Sequence, residues 1–553
     1  MAGISDIFNI ARSGIRANQQ GLATTSQNIS NINTKGYSRQ EVVVETASPA
    51  NGQEASGVRV NEIRRNVDVF LEEQITKLNE DVGRLDARHN FLVQADGVFT
   101  EGENNGISYG LTEFFNAVRD VATNPEGTVQ RTVLLGKGNS LVDEVNRAAV
   151  SLDQIRRDAD GEIGRHLTTI NSLATEIATL NDSIFRTEAS GGAAHDLRDQ
   201  RQLRVNEMAE LVDVSPIEMR DGLAINVGGQ LLVGGNQAST LVQTPDADNP
   251  PLNDVAFVRS DGTQLVVTSR INDGRVNGLL TLRDTDVVGF QDRLDRTVAV
   301  LVNEFNQQHE AGYDLNGATG NSFFTALSPE APLAGDNNSG GADGTSVSVS
   351  TASSLTMSNY QISFTNSSTF DVLDTTNGTT VLSAQAYTSG NNIVFDGLTV
   401  VITNNTGAPA ANDVFTVSAH KGAAADLSVS FTDTDDIAAS STSTGVPGNN
   451  VNALALIDIH TTRQSTLGSI TLNDYQTITA GNVGSTTREV SLSLIAKEAE
   501  TEQVETFREG VSGVSLDEEL TNLLRFQRAF EASARLLTVA DELLQTILSI
   551  GRR

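Results

Sequence analysis

The two ends of the chain repeat one pattern, and it restricts the fold more than any other feature. Ile4, Phe8, Ala11, Ile15, Asn18, Leu22, Thr25, Ile29 and Ile32 recur in steps of four and three; so do Leu523, Phe526, Phe530, Ser533, Leu537, Ala540, Leu544 and Ile547. A mean step of about 3.5 residues is the seam of a coiled coil, here with Asn18 and Thr25 as polar interruptions. Ser5 and Asp6 mark the first helix start and Gly36 its stop. Ser515 with Glu518 makes a capping box, Asp517, Glu518 and Glu519 put acids in the second helix's first turn, and Gly551 follows its last periodic residue. If the two helices pair within one chain they run antiparallel, because the chain leaves along one and returns along the other. A lone two-helix hairpin buries too little surface to be stable, so the expectation is that the ends order when neighbouring copies cover them.

Charge follows the same division. Lys and Arg number 38 and Asp and Glu 70, a formal charge of −32 over 553 residues; residues 1–40 carry +3 and residues 515–553 carry −1, leaving −34 for the body. Nearly neutral ends can associate without a large Coulomb penalty. The acidic body repels nucleic-acid phosphate and anionic lipid, which argues against both as partners. The absence of Cys removes disulfides, thiolate nucleophiles and Cys-ligated metals. Met1–Gln20 lacks the basic and apolar regions of a cleaved secretory signal, and no run approaches about 18 consecutive apolar residues, so no membrane span is expected.

Between the ends the periodicity predicts more long helices. One seam is Leu71, Ile75, Leu78, Val82, Leu85, His89 and Leu92. Another is Leu141, Val145, Ala148, Leu152, Ile155 and Ala159, resuming at Ile170, Leu173, Ile177, Leu180 and Ile184. A third is Val287, Gln291, Leu294, Val298, Leu301, Phe305 and Gln308, and a less regular helix covers Arg488–Phe507. Residues 213–283 show short β-type runs split at Asp221-Gly222, Gly228-Gly229, Asp261-Gly262 and Asp273-Gly274. Residues 340–445 are rich in Ser, Thr, Asn and Gly, with β-type runs at 360–364, 393–395 and 398–403 and a hairpin signal at Asn377-Gly378. Residues 329–344 read as a linker. The expected fold is mainly α with β insertions: long terminal and central helices in coiled-coil-like bundles enclosing small outer β domains. The expected units are 1–60 with 508–553; 61–212 with 284–328 and 450–507; 213–283; and 329–449.

Little in the sequence points to catalysis. His89, His166, His195, His309, His420 and His460 include no His-Glu-x-x-His pair. Gly136-Lys137-Gly138-Asn139-Ser140 lacks the spacing and preceding strand of a phosphate loop and reads as a helix–helix turn. Asp246, Asp248 and Asn249, and Asp433, Asp435 and Asp436, lack calcium-loop spacing and read as solvated loop acids. No cofactor or metal site is expected.

The terminal residues resemble a known family. Ser13-Gly14-Ile15, Ala17, Leu22, Asn28-Ile29, Asn31, Thr34 and Gly36-Tyr37-Ser38-Arg39-Gln40 match the N-terminal signature of the axial proteins of the bacterial flagellum. Ser512-Gly513-Val514, Leu516-Asp517-Glu518-Glu519, Asn522-Leu523, Phe526-Gln527, Ala529-Phe530, Ala532 and Ala534-Arg535 match its C-terminal signature. The extended Gly-Tyr-Ser-Arg-Gln form, the length and the stretch Asp196-Leu197 to Arg201 resemble the hook-filament junction (FlgK) family of hook-associated proteins. Gly21, Ser515, Phe530, His195, Arg198 and Gln202 depart from the usual residues. The resemblance implies a non-enzymatic structural protein that self-assembles into the ring joining hook to filament, extracellular, and exported without a cleaved signal through the flagellar type III channel. It implies contacts with hook protein on one side and with the other hook-associated protein on the filament side, and an export chaperone on the C-terminal helix. Another axial component, such as hook or distal rod protein, and a junction protein whose outer insertion is also an adhesin, are the alternative readings.

Overall fold

The structure, a computed structural model, describes residues 2–47, 57–100, 102, 105–247, 249–259, 261–335 and 338–550, with backbone only for residues 2–5. In chain order, helix α1 (Ala2–Ser30) leads to the antiparallel hairpin β1 (Gln40–Thr46) and β2 (Val58–Arg65), which the periodicity did not predict. Helices α2 (Val69–Phe99), α3 (Ile107–Thr123), α4 (Thr128–Ala189) and α5 (His195–Leu211) follow. A first β module holds β3 (Ser215–Met219), β4 (Gly222–Val227), β5 (Gln230–Gly234), β6 (Gln237–Ala238), β7 (Thr240–Pro245), β8 (Asn253–Val258) and β9 (Gln264–Val266). Helix α6 (Gly274–Thr281) runs through a π turn into α7 (Val287–Glu310). A second β module holds β10 (Leu333–Ala334), β11 (Ala342–Val349), β12 (Asn359–Asn366), β13 (Thr369–Asp374), β14 (Thr379–Ala386), β15 (Asn392–Phe395), β16 (Leu398–Asn404) and β17 (Val414–Ser418). The chain closes with the one-turn α8 (Ala423–Asp426), then α9 (Val451–Thr461), α10 (Leu472–Ser512) and α11 (Leu516–Ile550).

Helix α4 is one continuous rod of 62 residues. The expected turn at Gly136–Ser140 is absent, and the two predicted seams are one. Gly138 explains part of this: a Cβ there would lie 3.2 Å from the Phe323 ring, so the glycine lets a buried aromatic seat against the helix. That packing outweighs a helix-propensity cost of about 1 kcal/mol per glycine. Phe323 belongs to a cluster with Phe114, Phe115, Phe305 and Phe324, ring centroids 4.9–6.3 Å apart, which ties α3 and α7 to the segment after α7. Two other boundaries move. Residues 274–281, within the stretch read as β, are helical with Asp273 as N-cap, and α10 begins sixteen residues before the predicted Arg488.

The β modules dock on helices through single polar side chains. Asn181 of α4 donates to the carbonyls of Leu223 and Gly235 and accepts from the Leu223 amide, while Asn171 exchanges both bonds with Leu241. In the second module a five-strand sheet (β10-β17-β12-β13-β14) faces a three-strand sheet (β11-β16-β15), with Tyr360 against Phe395 at 4.9 Å. The Gly228-Gly229 and Asn377-Gly378 signals fall at hairpin turns, and all three of these glycines have positive φ. This module is clasped to α7. Asp292 accepts from His420 Nε2 (2.8 Å) and Asn359 Nδ2 (2.8 Å), and Asp295 accepts from the Gly422 and Ala424 amides. Burial raises the Asp292 carboxyl, but His420 and Asn359 outweigh it and hold the group at about 2. Burial pushes Asp295 up to about 7 despite its two amides.

Candidate functional site

Helices α1 and α11 pair antiparallel, and their register is set by small residues. A Cβ on Gly14 would lie 2.8 Å from Ser533 Oγ, and one on Gly21 would lie 2.6 Å from the Phe526 ring. Asn28 Nδ2 donates to Glu519 Oε2 at 3.1 Å. These three contacts are one heptad apart on each helix. The row in closest contact, with Ala11 and Thr25 also buried, lies beside the row of large apolar residues expected to face the partner. Glycine wins the contact position because it lets the backbones approach.

The expected seam residues divide accordingly. The side chain of Ile4 lies outside the described residues. Ala11 is buried; Phe8, Ile15, Leu22 and Ile29 are half-buried along one flank; Ile32 is exposed beyond the helix end. On α11, Leu523, Phe526, Phe530 and Leu537 are half-buried, Ala540 is buried, and Leu544 and Ile547 are exposed. The structure therefore brings together the seams up to Ala540 and leaves the last turns uncovered.

At the base of the pair a polar latch joins both chain ends to the body. Asn28 uses its full hydrogen-bonding capacity: Nδ2 donates to the Gln40 carbonyl and to Glu519, and Oδ1 accepts from Tyr37 OH (2.9 Å) and the Gln40 amide (3.0 Å). Arg39 donates from Nε to Glu519 Oε1 (3.0 Å) and from Nη1 to Glu518 Oε2 (2.8 Å), and its amide donates to the Ser512 carbonyl. Asn66 continues the link, its amide donating to the Arg39 carbonyl and its Nδ2 to the Val511 carbonyl. Gln40 Nε2 and Gln27 Nε2 donate to the two oxygens of Asp196 on α5; Asp199, one turn on, accepts from the Ser38 amide and pairs with Arg65. Gly36, at φ +80, turns the chain so that its carbonyl accepts from Arg508, which also pairs with Glu72 at 2.9 Å. Burial, then the nearby acids Asp196, Asp199 and Glu519, push the Tyr37 phenol above its ordinary range and keep it a donor. Burial also raises Asp199, against the pull of Arg65.

Several signature residues meet here: Asn28, Tyr37, Arg39, Gln40 and Glu518. Others do not. The Asn31 side chain, just past α1, donates to the Gln27 carbonyl and accepts from Thr34 Oγ1, Asn522 makes a long 3.4 Å contact with Glu519, and Asp517, Gln527 and Arg535 are solvent-exposed. Glu72, Arg65, Asn66 and Arg508 were not anticipated. Glu72 carried a visible signal, an acid one turn before the seam residue Ile75 that the structure buries at 7% exposure.

Elsewhere the titratable groups serve packing. His309 Nδ1 meets the Asn321 carbonyl at 2.6 Å and its Nε2 accepts the Ala438 amide, and burial lowers it to about 4. Among the described residues no group of three or more His, Asp or Glu is placed to hold a metal, and no helix is long and apolar enough to cross a membrane. Asp248 lies outside the described residues.

The molecule thus combines a long helical body, outlying β modules and two chain ends latched as one antiparallel pair. Proteins of known identity share its sequence and fold. The family model for the flagellar hook-associated protein FlgK helical domain matches residues 92–324, that for flagella basal body rod proteins residues 8–37, and that for the C-terminal region of the FlgEFG basal body rod proteins residues 510–550. The chain is 30% identical to flagellar hook-associated protein 1 of Escherichia coli, over 99% of this chain and all of that one, and 25% identical to its Bacillus subtilis counterpart, over 98% and 97%. The solved structure of the flagellar hook junction protein FlgK from Burkholderia pseudomallei superposes with a TM-score of 0.69 at 19% identity, covering 79% of this chain and all of that one, so the fold is shared. The chain belongs to the family of flagellar hook-associated protein 1 (FlgK), structural components of the flagellum at the hook-filament junction.

Proposed function

We propose that this chain, without catalytic activity, assembles through its terminal helix pair into the ring between hook and filament. The observation that carries this is the exposure of the pair. Its large apolar side chains remain half-covered or exposed, while the latch fixes the pair to the body. Such a surface is unfavourable in a free subunit and becomes covered when copies meet. The seam positions from Ile4 to Ile32 and from Leu523 to Ile547 act as assembly surface, and the signature residues hold the pair in position. The units 1–60 with 508–553, 61–212 with 284–328 and 450–507, 213–283, and 329–449 act as inner pair, body, first and second β modules.

On this reading hook protein meets one side of the ring and the other hook-associated protein the filament side. An export chaperone covers the C-terminal helix beforehand, since its Leu/Ile surface otherwise promotes premature association. Export proceeds without a cleaved signal peptide. A strain lacking the chain should carry bare hooks and shed flagellin into the medium. Complementation with Phe530→Asp or Leu537→Asp should fail to attach filaments while the β modules stay folded, because a carboxylate would be buried unpaired in the assembly. Normal motility in either variant contradicts the proposal.

A further inference from the structure

Two segments of chain that run side by side connect the second β module to the body. At the body end they are zipped together: the Thr325 amide donates to the Ser428 carbonyl and the Ser430 amide to the Phe323 carbonyl, both at 2.9 Å. Phe323 and Phe324 anchor the zip in the aromatic cluster, and Asn146 of α4 donates to the Leu427 carbonyl beside it. At the module end β10 pairs with β17, and Glu330 meets Lys421 at 2.9 Å. Between these ends the returning segment 419–425 reads Ala-His-Lys-Gly-Ala-Ala-Ala. Its alanines and glycine bury little apolar surface, at about 25 cal/mol per Å². A cavity of about 20 Å³ separates it from Val302, Leu327 and Pro329, so the stem is loosely filled.

The polar hold on the module comes from one turn of α7. Asp292 takes His420 of the returning segment and Asn359 of β12, while Asp295 takes the amides of Gly422 and Ala424. The turn at residues 352–354 also touches α7. Gly422, at φ +81, bends the returning segment into α8 within reach of Asp295. Two carboxylates thus grip the stem and the module at once, and each bond they lose weakens the docked state by about 0.5–1.5 kcal/mol or more.

We propose that the second β module is a hinged arm, with residues 326–330 and 419–427 as its hinge and Asp292 with Asp295 as the catch that holds it against α7. With the catch closed, the arm keeps one angle to the rod of α4. With the catch open, it swings on the stem, while the zip, the aromatic cluster and the module's own sheets stay intact. A rigid unit on a short paired stem moves as a hinged domain, and its opening takes less free energy than unfolding the body.

Trypsin reads the hinge directly, because Lys421 is the one Lys or Arg between Arg296 and Arg463. Asp292→Ala with Asp295→Ala should speed cleavage after Lys421 at least about tenfold and leave the thermal midpoint of the body unchanged. The chain has no Cys, so spin labels at Val150→Cys on α4 and Val394→Cys in the module, both exposed, report the angle of the arm. One narrow distance is expected with the catch intact and a broad distribution in the double variant. Should that variant fail to fold, His420→Ala with Asn359→Ala opens the catch from the module side and leaves Asp292 its partner Arg296. Cleavage and distances equal to those of the unsubstituted chain overturn the hinged arm. So does a broad distribution with the catch intact, or a module that unfolds once the catch is removed.

Discussion

Along α4 the residues Leu141, Leu152, Ile163, Ile170 and Ile177 are sealed from solvent, each at 0% exposure, whereas along the terminal pair Phe8, Ile15, Leu22, Phe530 and Leu537 stay partly open. Both regions carry apolar residues at helical spacing and both are long. The difference lies in the number of neighbours. Helix α4 is covered by α3, α5, α6, α7 and the first β module, while α1 and α11 have chiefly each other, the β1–β2 hairpin touching one flank. Periodicity states which side chains need cover. It does not state whether the cover comes from the same chain.

The largest expected effect belongs to the body. Phe305→Ala removes the ring that meets Phe114, Phe323 and Phe324 and should cost about 3–5 kcal/mol, read as a lower thermal midpoint of the isolated chain. Leu537→Ala, on the terminal pair, should lose under about 1 kcal/mol there; equal losses erase the contrast. Next is the latch. Asn28→Ala strands four partners, including the Glu519 carboxylate at 2% exposure, and should cost about 2–4 kcal/mol. Asn31→Ala, equally part of the family signature but bonded only to its near neighbours Gln27 and Thr34, should cost little. Comparing amide protection at residues 20–40 in the two variants decides whether the latch or the signature as such matters.

Gly21→Ala should follow, at about 1–3 kcal/mol within the terminal pair, because the new methyl meets the Phe526 ring. A double-mutant cycle with Phe526→Leu should recover much of the loss; additivity denies the contact. Acid should separate the two joints by a smaller amount. The Asp295 carboxyl is raised to about 7 from its unfolded value near 3.8, so its contribution is fully present below 3.8 and is lost as pH rises from there to 7. The clasp of the second β module should therefore loosen between pH 4 and pH 7 and change little above that, and Asp295→Asn should flatten the slope, both measured by protease sensitivity of residues 419–427. The smallest effect is a gain. Gly136 sits mid-helix with open space around it, so Gly136→Ala should stabilise α4 by up to about 1 kcal/mol; destabilisation would mean α4 bends there.

The parts legible in the sequence are those that obey a local period. The helices seeded by Leu71–Leu92, Val287–Gln308 and the two terminal seams all appear, as do the hairpin turns at Gly228-Gly229 and Asn377-Gly378. Local rules misread Gly136–Ser140, where a distant Phe323 fills the place of a side chain. They passed over β1 and β2, whose pairing residues are separated by a long connection. The latch was half visible. Asn28, Tyr37, Arg39 and Gln40 stood out through resemblance, but their partners Glu519 and Asp196 lie roughly 490 and 160 residues away, and no periodicity spans that distance. The offset between Gly14/Gly21 and the Ile15/Leu22 row was hidden for another reason: apolarity was read as contact, when the closest contact went to the smallest residue.

Hydrogen exchange on the free chain and on assembled rings separates a sealed body from an open terminal pair. Exchange should be slow across α4 in both states. In the free chain it should be fast over residues 2–20 and 530–550, grading to protection near the latch at Asn28 and Glu519, with both segments becoming slow on assembly. Terminal segments as protected as α4 in the free chain would show that the pair needs no cover from neighbouring copies.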